Sequence, residues 1–565
     1  MQTEHKKIGD LLLEKGLISQ DELTEALTYQ KKTGKQFGET LLQLGYIKED
    51  DLLKALSEQM NVPYAQLDSY LIDPHVVTEL PEKLARELKA LPIFKIENRL
   101  TVAMVDPLDI AVIDKLQKDT GCEIEPIVCL EDGLLKMIDK YYSGVPSEMK
   151  QLSEKIVTED LKIVETQTEE KDESIKMAEE APIVKLVNMI ILQAIKERAT
   201  DIHIEPEKGY MRVRYRVDGE MYEVMTTPAK LQPAVVSRIK IMSNLDIAER
   251  RVPQDGRFTI ELESKQVDFR VSILPLISGE KVVMRLLDKS TALFRLDQLG
   301  FSKENKANME ELIQRPHGII LVTGPTGSGK TTTLYSALNI INTLDKNIMT
   351  VEDPVEYEFE IINQVQVNPK TGMTFARALR AFLRQDPDVI LVGEIRDLET
   401  AEIAIQAALT GHLVFSTLHT NSAPESIIRL VDMGVEPFLI SSAVIGILAQ
   451  RLVRRICPSC KQPYTPSEGL LKQLSCELND VPNQFFIGNG CRNCNNRGYK
   501  GRSGIHELLI PNDEIKDMVM KRASGFELQK KAQQAGMKTL YQDGLEKVSN
   551  GITTIDEVLA VTREV

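Results

Sequence analysis

A chain of 565 residues with 42% hydrophobic and 27% charged side chains can fill several globular cores, about four on length alone. The formal net charge of −15 and a pI near 5.2 disfavour broad nucleic-acid binding but leave open a local basic groove. The polar start Met1–Lys7 does not read as a signal peptide, and no apolar run reaches membrane-spanning length, so a cytosolic, soluble product is expected.

Residues 1–62 hold an internal repeat. Gly9, Leu12, Gly16, Ile18, Leu23, Leu27 and Gln30 recur as Gly38, Leu41, Gly45, Ile47, Leu52, Leu56 and Gln59. Each copy predicts a short helix, a glycine stop, a polar turn and a second helix, with Ser19 and Glu22 spaced as a capping box. Residues 63–142 read as a small α/β domain with a strand at Leu100–Val105 and a helix at Glu131–Tyr141. The stretch 143–180, with Glu169-Glu170-Lys171-Asp172-Glu173, is too poor in large apolar residues for a core and reads as an acidic flexible linker.

A third domain is expected over 181–292. Ile183–Ile195 fits an amphipathic helix. Met211, Val213, Tyr215 and Val217 alternate with Arg212, Arg214 and Arg216, as on a half-buried strand. Val267, Phe269 and Val271 alternate likewise with Asp268, Arg270 and Ser272, and Val282–Leu287 is a further strand carrying Arg285. The final domain, 293–565, carries a cysteine-bearing insertion at 455–500 and a helical tail. The apolar stretch Pro437–Ala449, interrupted by Ser441 and Ser442, reads as a core helix.

The chemistry is densest after residue 318. Ile319–Val322 predicts a buried strand that runs into Gly324-Pro325-Thr326-Gly327-Ser328-Gly329-Lys330-Thr331-Thr332. The glycines let backbone N–H groups close around phosphate oxygens, and the helix begun at Thr331 and Thr332 presents its positive end to them. Lys330 reaches the β- and γ-phosphates of ATP, and the Thr331 hydroxyl is placed for Mg²⁺.

Three more apolar runs end in polar groups. Met349–Val351 leads into Glu352-Asp353-Pro354-Val355-Glu356, where carboxylates beside a phosphate loop can hold Mg²⁺ or orient water; the same string can be an ordinary acidic turn. Val389–Val392 ends in Gly393-Glu394, a Walker B pattern in which Glu394 completes the Mg²⁺ shell directly or through water. The run after Gly411-His412 ends at Leu418-His419; its histidines are either structural or contacts to the γ-phosphate. Among seven cysteines, Cys457-x-x-Cys460 and Cys491-x-x-Cys494 form a four-thiolate zinc signature with no position left for water, hence a structural metal. Redox dithiols or free thiols are the rival readings of those pairs. Cys122, Cys129 and Cys476 are expected to be packed thiols.

The order of phosphate loop, acidic box, Gly-Glu Walker B and histidine box resembles the secretion superfamily of hexameric ATPases. Ala199-Thr-Asp-Ile-His-Ile-Glu-Pro206, Arg251-Val-Pro-Gln-Asp-Gly-Arg257 and the paired C-x-x-C resemble the assembly ATPases of type II secretion (GspE type) and type IV pilus extension (PilB type). The likeness covers the chain from about 180 onward, and Val431–Ile440 tilts it toward the secretion branch. It implies an α/β multidomain protein: helical repeats, then a small domain, a PAS-like α+β domain, and a RecA-like core with the zinc insertion. It implies that Glu356, with Glu352 second, polarises water, and that Glu394 serves Mg²⁺. His419, and less directly His412, would sense the γ-phosphate. Arg270 and Arg285 would be arginine fingers, and Arg380 and Arg384, four apart on one helix face, would lie near the nucleotide. A homohexamer is implied, docked peripherally on an inner-membrane platform and its cytoplasmic adaptors and driving pseudopilus or pilus assembly.

The repeat at 7–59 resembles the cyclic di-GMP-binding domain of some of these ATPases. Lys7 and Gln36 stand where that family's R-L-G-x-x-L copies carry arginine, which removes a bidentate phosphate donor. Docking to a platform protein is the alternative use of this repeat. A conjugation-type nucleic-acid motor and a regulatory module that binds ATP without turnover are the other function classes. Net acidity and the lack of an aromatic stacking platform count against the first; Lys330, Glu356 and Glu394 count against the second.

Overall fold

A computed structural model describes residues 7–33, 36–60, 62–67, 70, 72–96, 98–142, 181–262, 265–288, 295–467, 469 and 484–562. The stretch 143–180 expected to be a linker, and Cys476, lie outside them. The chain divides into two units, Met1–Asp288 and Lys289–Val565.

In the first unit the repeat forms helices Ile8–Glu14, Gln20–Thr33, Phe37–Gln43 and Glu49–Met60. Gly9 and Gly38 recur for a packing reason, whereas Gly16 and Gly45 recur for their positive φ of 66° and 73°. A Cβ at Gly9 would stand 2.9 Å from Leu23 Cδ1, and one at Gly38 3.0 Å from Leu52 Cδ2. Leu12, Leu41, Ile18, Ile47, Leu23 and Leu52 close the shared core. The capping box forms: Ser19 N–H donates to Glu22 Oε2 at 2.7 Å and Glu22 N–H to Ser19 Oγ at 3.3 Å. Next comes a three-stranded sheet of β1 (Ala90–Ile96), β2 (Arg99–Met104) and β3 (Glu123–Val128). β1 and β2 are antiparallel; β2 and β3 are parallel, with helix Ile110–Thr120 between them. Cys122 and Cys129 are free thiols buried there.

Helix Ala181–Lys196 precedes a six-stranded antiparallel sheet: β4 (Asp201–Pro206), β5 (Tyr210–Val217), β6 (Glu220–Pro228), β7 (Gln254–Leu262), β8 (Lys265–Leu276) and β9 (Gly279–Asp288). Their order is β6-β5-β4-β9-β8-β7. Met211, Val213, Tyr215, Phe269 and Val271 are buried on one face, as the alternation requires. The opposite face carries a cross-strand row, Arg216, Asp201, Arg285, Arg270 and Arg257.

The second unit is built on seven strands: β10 (Gly318–Thr323), β11 (Ile348–Glu352), β12 (Asn363–Gln366), β13 (Val389–Val392), β14 (Leu413–Leu418), β15 (Val444–Ile456) and, after a two-stranded hairpin of β16 (Lys461–Tyr464) and β17 (Phe485–Gly488), β18 (Tyr499–Leu509). Their order is β12-β11-β13-β14-β10-β15-β18, parallel except for β18. Ile319 and Leu321 feed one apolar layer, Ile320 and Val322 the other. A strand buried on both faces needs such a continuous apolar run. The helix expected over Pro437–Ala449 stops at Ala443, and Val444 begins β15. Val444, Ile445 and Ile447 are β-branched, and a parallel neighbour in β10 satisfies their backbone, so the apolar run continues as strand. Four capped or short helices between Asp513 and Thr562 complete the unit.

Candidate active site

The strand order brings the carboxyl ends of β11, β13, β14 and β10 to one edge of the sheet, where ligands bind in open α/β folds. β10 delivers the phosphate loop. Gly324, Gly327 and Gly329 have φ of 149°, 82° and 88°, and the helix Lys330–Ile341 starts directly after. Lys330 Nζ donates to the loop carbonyls of Gly324 at 2.8 Å and Pro325 at 3.1 Å. Burial pushes the Lys330 ammonium down to about 8; Glu394 works against this and Arg451 adds to it. Phosphate oxygens placed here favour the charged form. Below pH 8 the ammonium is already protonated, so ATP affinity is expected to be flat. Above pH 8 binding must take up a proton, and the ATP Kd is expected to rise about tenfold per pH unit. Kd values measured between pH 7 and 9.5 check this, and a pH-independent Kd would count against Lys330 as the phosphate cation.

Glu394 follows β13 and is nearly buried. Its Oε1 pairs with Arg396 Nη2 at 2.5 Å and its Oε2 lies 3.5 Å from His419 Nε2. Burial pulls the His419 imidazole below its usual value, and the Lys330 charge adds to that, against the pull of Glu394. At pH 7 His419 therefore favours its neutral, hydrogen-bonding form. Its position is held from β10: Thr420 N–H donates to Thr323 Oγ1 at 2.8 Å.

The acidic box divides. Glu352, at the end of β11, is buried and accepts from the Tyr335 hydroxyl, from Thr350 Oγ1 at 2.6 Å and from Gln364 Nε2 at 3.2 Å. Tyr335 stands on the phosphate-loop helix, and its hydroxyl also accepts the Glu356 N–H at 3.4 Å. Burial and the neighbouring Glu352 raise this phenol above its ordinary range, so it stays a donor. Glu352 thus ties the acidic box to the phosphate loop, while Glu356 lies four residues further along the turn. Motif reading does not single out Tyr335; only a helical offset from Lys330 marks it.

The other selected residues scatter. His412 stands at the opposite end of β14 from His419, about 20 Å away at the usual strand rise. Its Nδ1 contacts Ala407 O at 2.9 Å and its carbonyl accepts the Gly318 N–H, so it is a structural turn residue. Arg380 is on helix Phe375–Phe382 and pairs with Glu399. Arg384 is not on that helix, which ends at Phe382; its Nη1 donates to Arg380 O at 2.6 Å. The next carbonyl, Gln385 O, is bound by Asn347 just before β11, which places Arg384 at the edge away from its own phosphate loop. In the first unit Arg270 and Arg285 are direct cross-strand partners, and Arg285 Nε donates to Asp201 Oδ1 at 2.9 Å.

The cysteines gather into one knuckle. Sγ separations are 3.8 Å for Cys457–Cys491, 3.8 Å for Cys460–Cys494 and 3.7 Å for Cys491–Cys494, and all four lie within 4.8 Å of one another. Four thiolates at about 2.3 Å from a tetrahedral zinc stand about 3.8 Å apart, and a disulfide needs about 2.05 Å, so the donor set fits zinc. N–H groups of Cys491 and Gly498 point at Cys494 Sγ at 3.2 and 3.3 Å, the bonds a thiolate ligand accepts.

Phosphate loop, strand-end acids and parallel sheet define the second unit as that of a P-loop ATPase. Residues 176–560 match the model of the Type II/IV secretion system protein family, and the chain belongs to that family of ATPases. Residues 60–148 match the MshEN domain, a match that begins where the repeat ends. The type IV pilus assembly ATPase PilB of Myxococcus xanthus is 47% identical over 562 residues, 98% of this chain and 99% of its own length. Type II secretion system protein E of Pseudomonas aeruginosa is 47% identical over 470 residues, 83% of this chain and 93% of its own. Among solved structures, the Yersinia pseudotuberculosis ATPase DotB shares the fold, with a TM-score of 0.53 at 22% identity, covering 72% of this chain and 98% of that one. Among the described residues no helix is long and apolar enough to cross a membrane.

Proposed function

We propose that the chain is a Mg²⁺-dependent ATP hydrolase that works as a homohexamer and drives pseudopilus assembly in type II protein secretion. The observation that carries this reading is the convergence of Lys330, Glu394 and His419 on one strand edge, in a chain of this family. ATP phosphates sit in loop 324–332. Mg²⁺ is held by the hard oxygens of Thr331 and Glu394, where it offsets charge on the transferred group. Glu356 orients the attacking water, since the oxygens of Glu352 are already engaged by Tyr335, Thr350 and Gln364. Arg270 and Arg285 serve as fingers, with Asp201 fixing the Arg285 fork. The knuckle 457–494 holds structural zinc.

The domain scheme belongs to the same reading: repeats at 1–62, a small domain at 63–142, a linker at 143–180, the arginine-bearing domain at 181–292 and the motor at 293–565. The partners are a membrane platform and its cytoplasmic adaptors, with the hexamer cytoplasmic and peripheral. The repeat docks to one of them or takes up cyclic di-GMP. Type IV pilus extension is the second reading, favoured by the near full-length match to the Myxococcus pilus ATPase. Glu356→Gln is the test of the water-orienting role. It is expected to bind ATP as the native chain does and to lose at least about 100-fold in turnover; turnover at the native rate would remove Glu356 from that role. Single-stranded DNA is expected to leave the rate unchanged, and stimulation by it would favour a nucleic-acid motor.

A further inference from the structure

The phosphate loop is gripped from β15 by a buried amide that no motif contains. Gln450 is 2% exposed. Its Nε2 donates to Ser328 O at 2.9 Å, inside the loop, and its Oε1 accepts from Thr333 Oγ1 at 2.7 Å, in the first turn of the helix. A carboxamide carries a donor and an acceptor on one rigid group and so satisfies both at once. The fit is close: a Cβ at Gly329 would stand 2.7 Å from Gln450 Nε2, and one at Gly324 2.5 Å from Gln450 O.

The consequence follows from peptide planarity. With Ser328 C=O turned to Gln450, the Gly329 N–H of the same trans peptide points the opposite way, away from Gln450. The amide therefore sets the direction of one N–H that the loop offers to an anion. Arg451, the next residue, supports the strand from the other face. Its Nη1 donates to Gln450 O at 3.1 Å and its Nη2 to Asn421 Oδ1 at 3.1 Å, two residues beyond His419.

We propose that Gln450 is a positioning residue for nucleotide phosphates, holding Ser328 and Thr333 at the separation that turns the Gly329 N–H toward the ligand. This rests on ATP binding at Lys330. The test is ATP affinity of full-length variants, with melting temperature and zinc content measured alongside. Gln450→Ala is expected to raise the ATP Kd about tenfold or more. Thr333→Val, which keeps the shape, is expected to act in the same direction, and the double variant to be no worse than Gln450→Ala, because both remove one contact chain. Gln450→Glu is expected to lose more, since a carboxylate accepts from Thr333 but cannot donate to Ser328 O. A native Kd in Gln450→Ala, single losses that multiply in the double variant, or a fall in melting temperature without a change in Kd would each overturn the proposal. Thr333→Val decides the matter if Gln450→Ala folds poorly. Lys330→Ala separates the two levels. Native affinity there defeats nucleotide binding at this loop, whereas loss there with native affinity in Gln450→Ala defeats only the role of Gln450.

Discussion

Glu394→Gln is expected to leave ATP binding within about threefold of native and to lower turnover by about 100-fold or more. The carboxylate is nearly buried between Arg396 and His419, at the end of the strand two places from β10 in the sheet. Glutamine keeps the shape but removes the charge that a divalent cation beside the γ-phosphate needs. Arg396 is largely exposed, so losing its partner leaves it hydrated and the fold intact. The imidazole changes too. Glu394 is the group that raises His419 against burial and Lys330, so the variant's His419 titrates lower still and favours its neutral form more strongly at pH 7. Turnover measured against Mg²⁺ concentration is the decisive readout. The variant is expected to need more Mg²⁺; a native rate at limiting Mg²⁺ would remove Glu394 from the metal shell.

The second large effect is loss of the metal knuckle. Cys494→Ser replaces a soft ligand by a harder, shorter one and removes the acceptor of two backbone N–H bonds. Native protein is expected to hold about one zinc per chain and the variant almost none. Structural zinc contributes on the order of 10 kcal/mol to a small finger. Here the cysteines adjoin the β15–β18 ladder, whose backbone pairing does not use the thiols, so only part of that is expected to be lost. At about 2–4 °C per kcal/mol, a fall of about 10 °C in melting temperature is expected, with new protease cleavage near 457–498. An unchanged melting curve after chelation would show that the thiols do not hold a structural metal. The effect is expected to reach the phosphate loop, because β15 carries Gln450 and ends at Ile456, directly before Cys457.

How much was legible differs element by element. The alternation at Met211–Val217 identified a half-buried strand, and Ile183–Ile195 a helix now bounded at Ala181 and Lys196. The stretch after Ala443 is strand where the sequence suggests helix, because a short apolar run has no period of its own; the adjacent β10 backbone decides it. Arg380 and Arg384 share a helical spacing, yet the helix stops at Phe382, and His412 and His419 share a motif but occupy opposite ends of one strand.

What the sequence determined by itself is local. A glycine run before Lys330 must turn its N–H groups inward, two C-x-x-C pairs must present four thiols, and the small residues at 9 and 38 recur wherever two helices meet closely. These depend on backbone freedom and on side chains a few residues apart. Which strand lies beside β10 is a long-range matter. Gln450 meets Thr333 and Ser328 across 117 and 122 residues. Such contacts depend on the simultaneous burial of seven strands, so no window of sequence contains them.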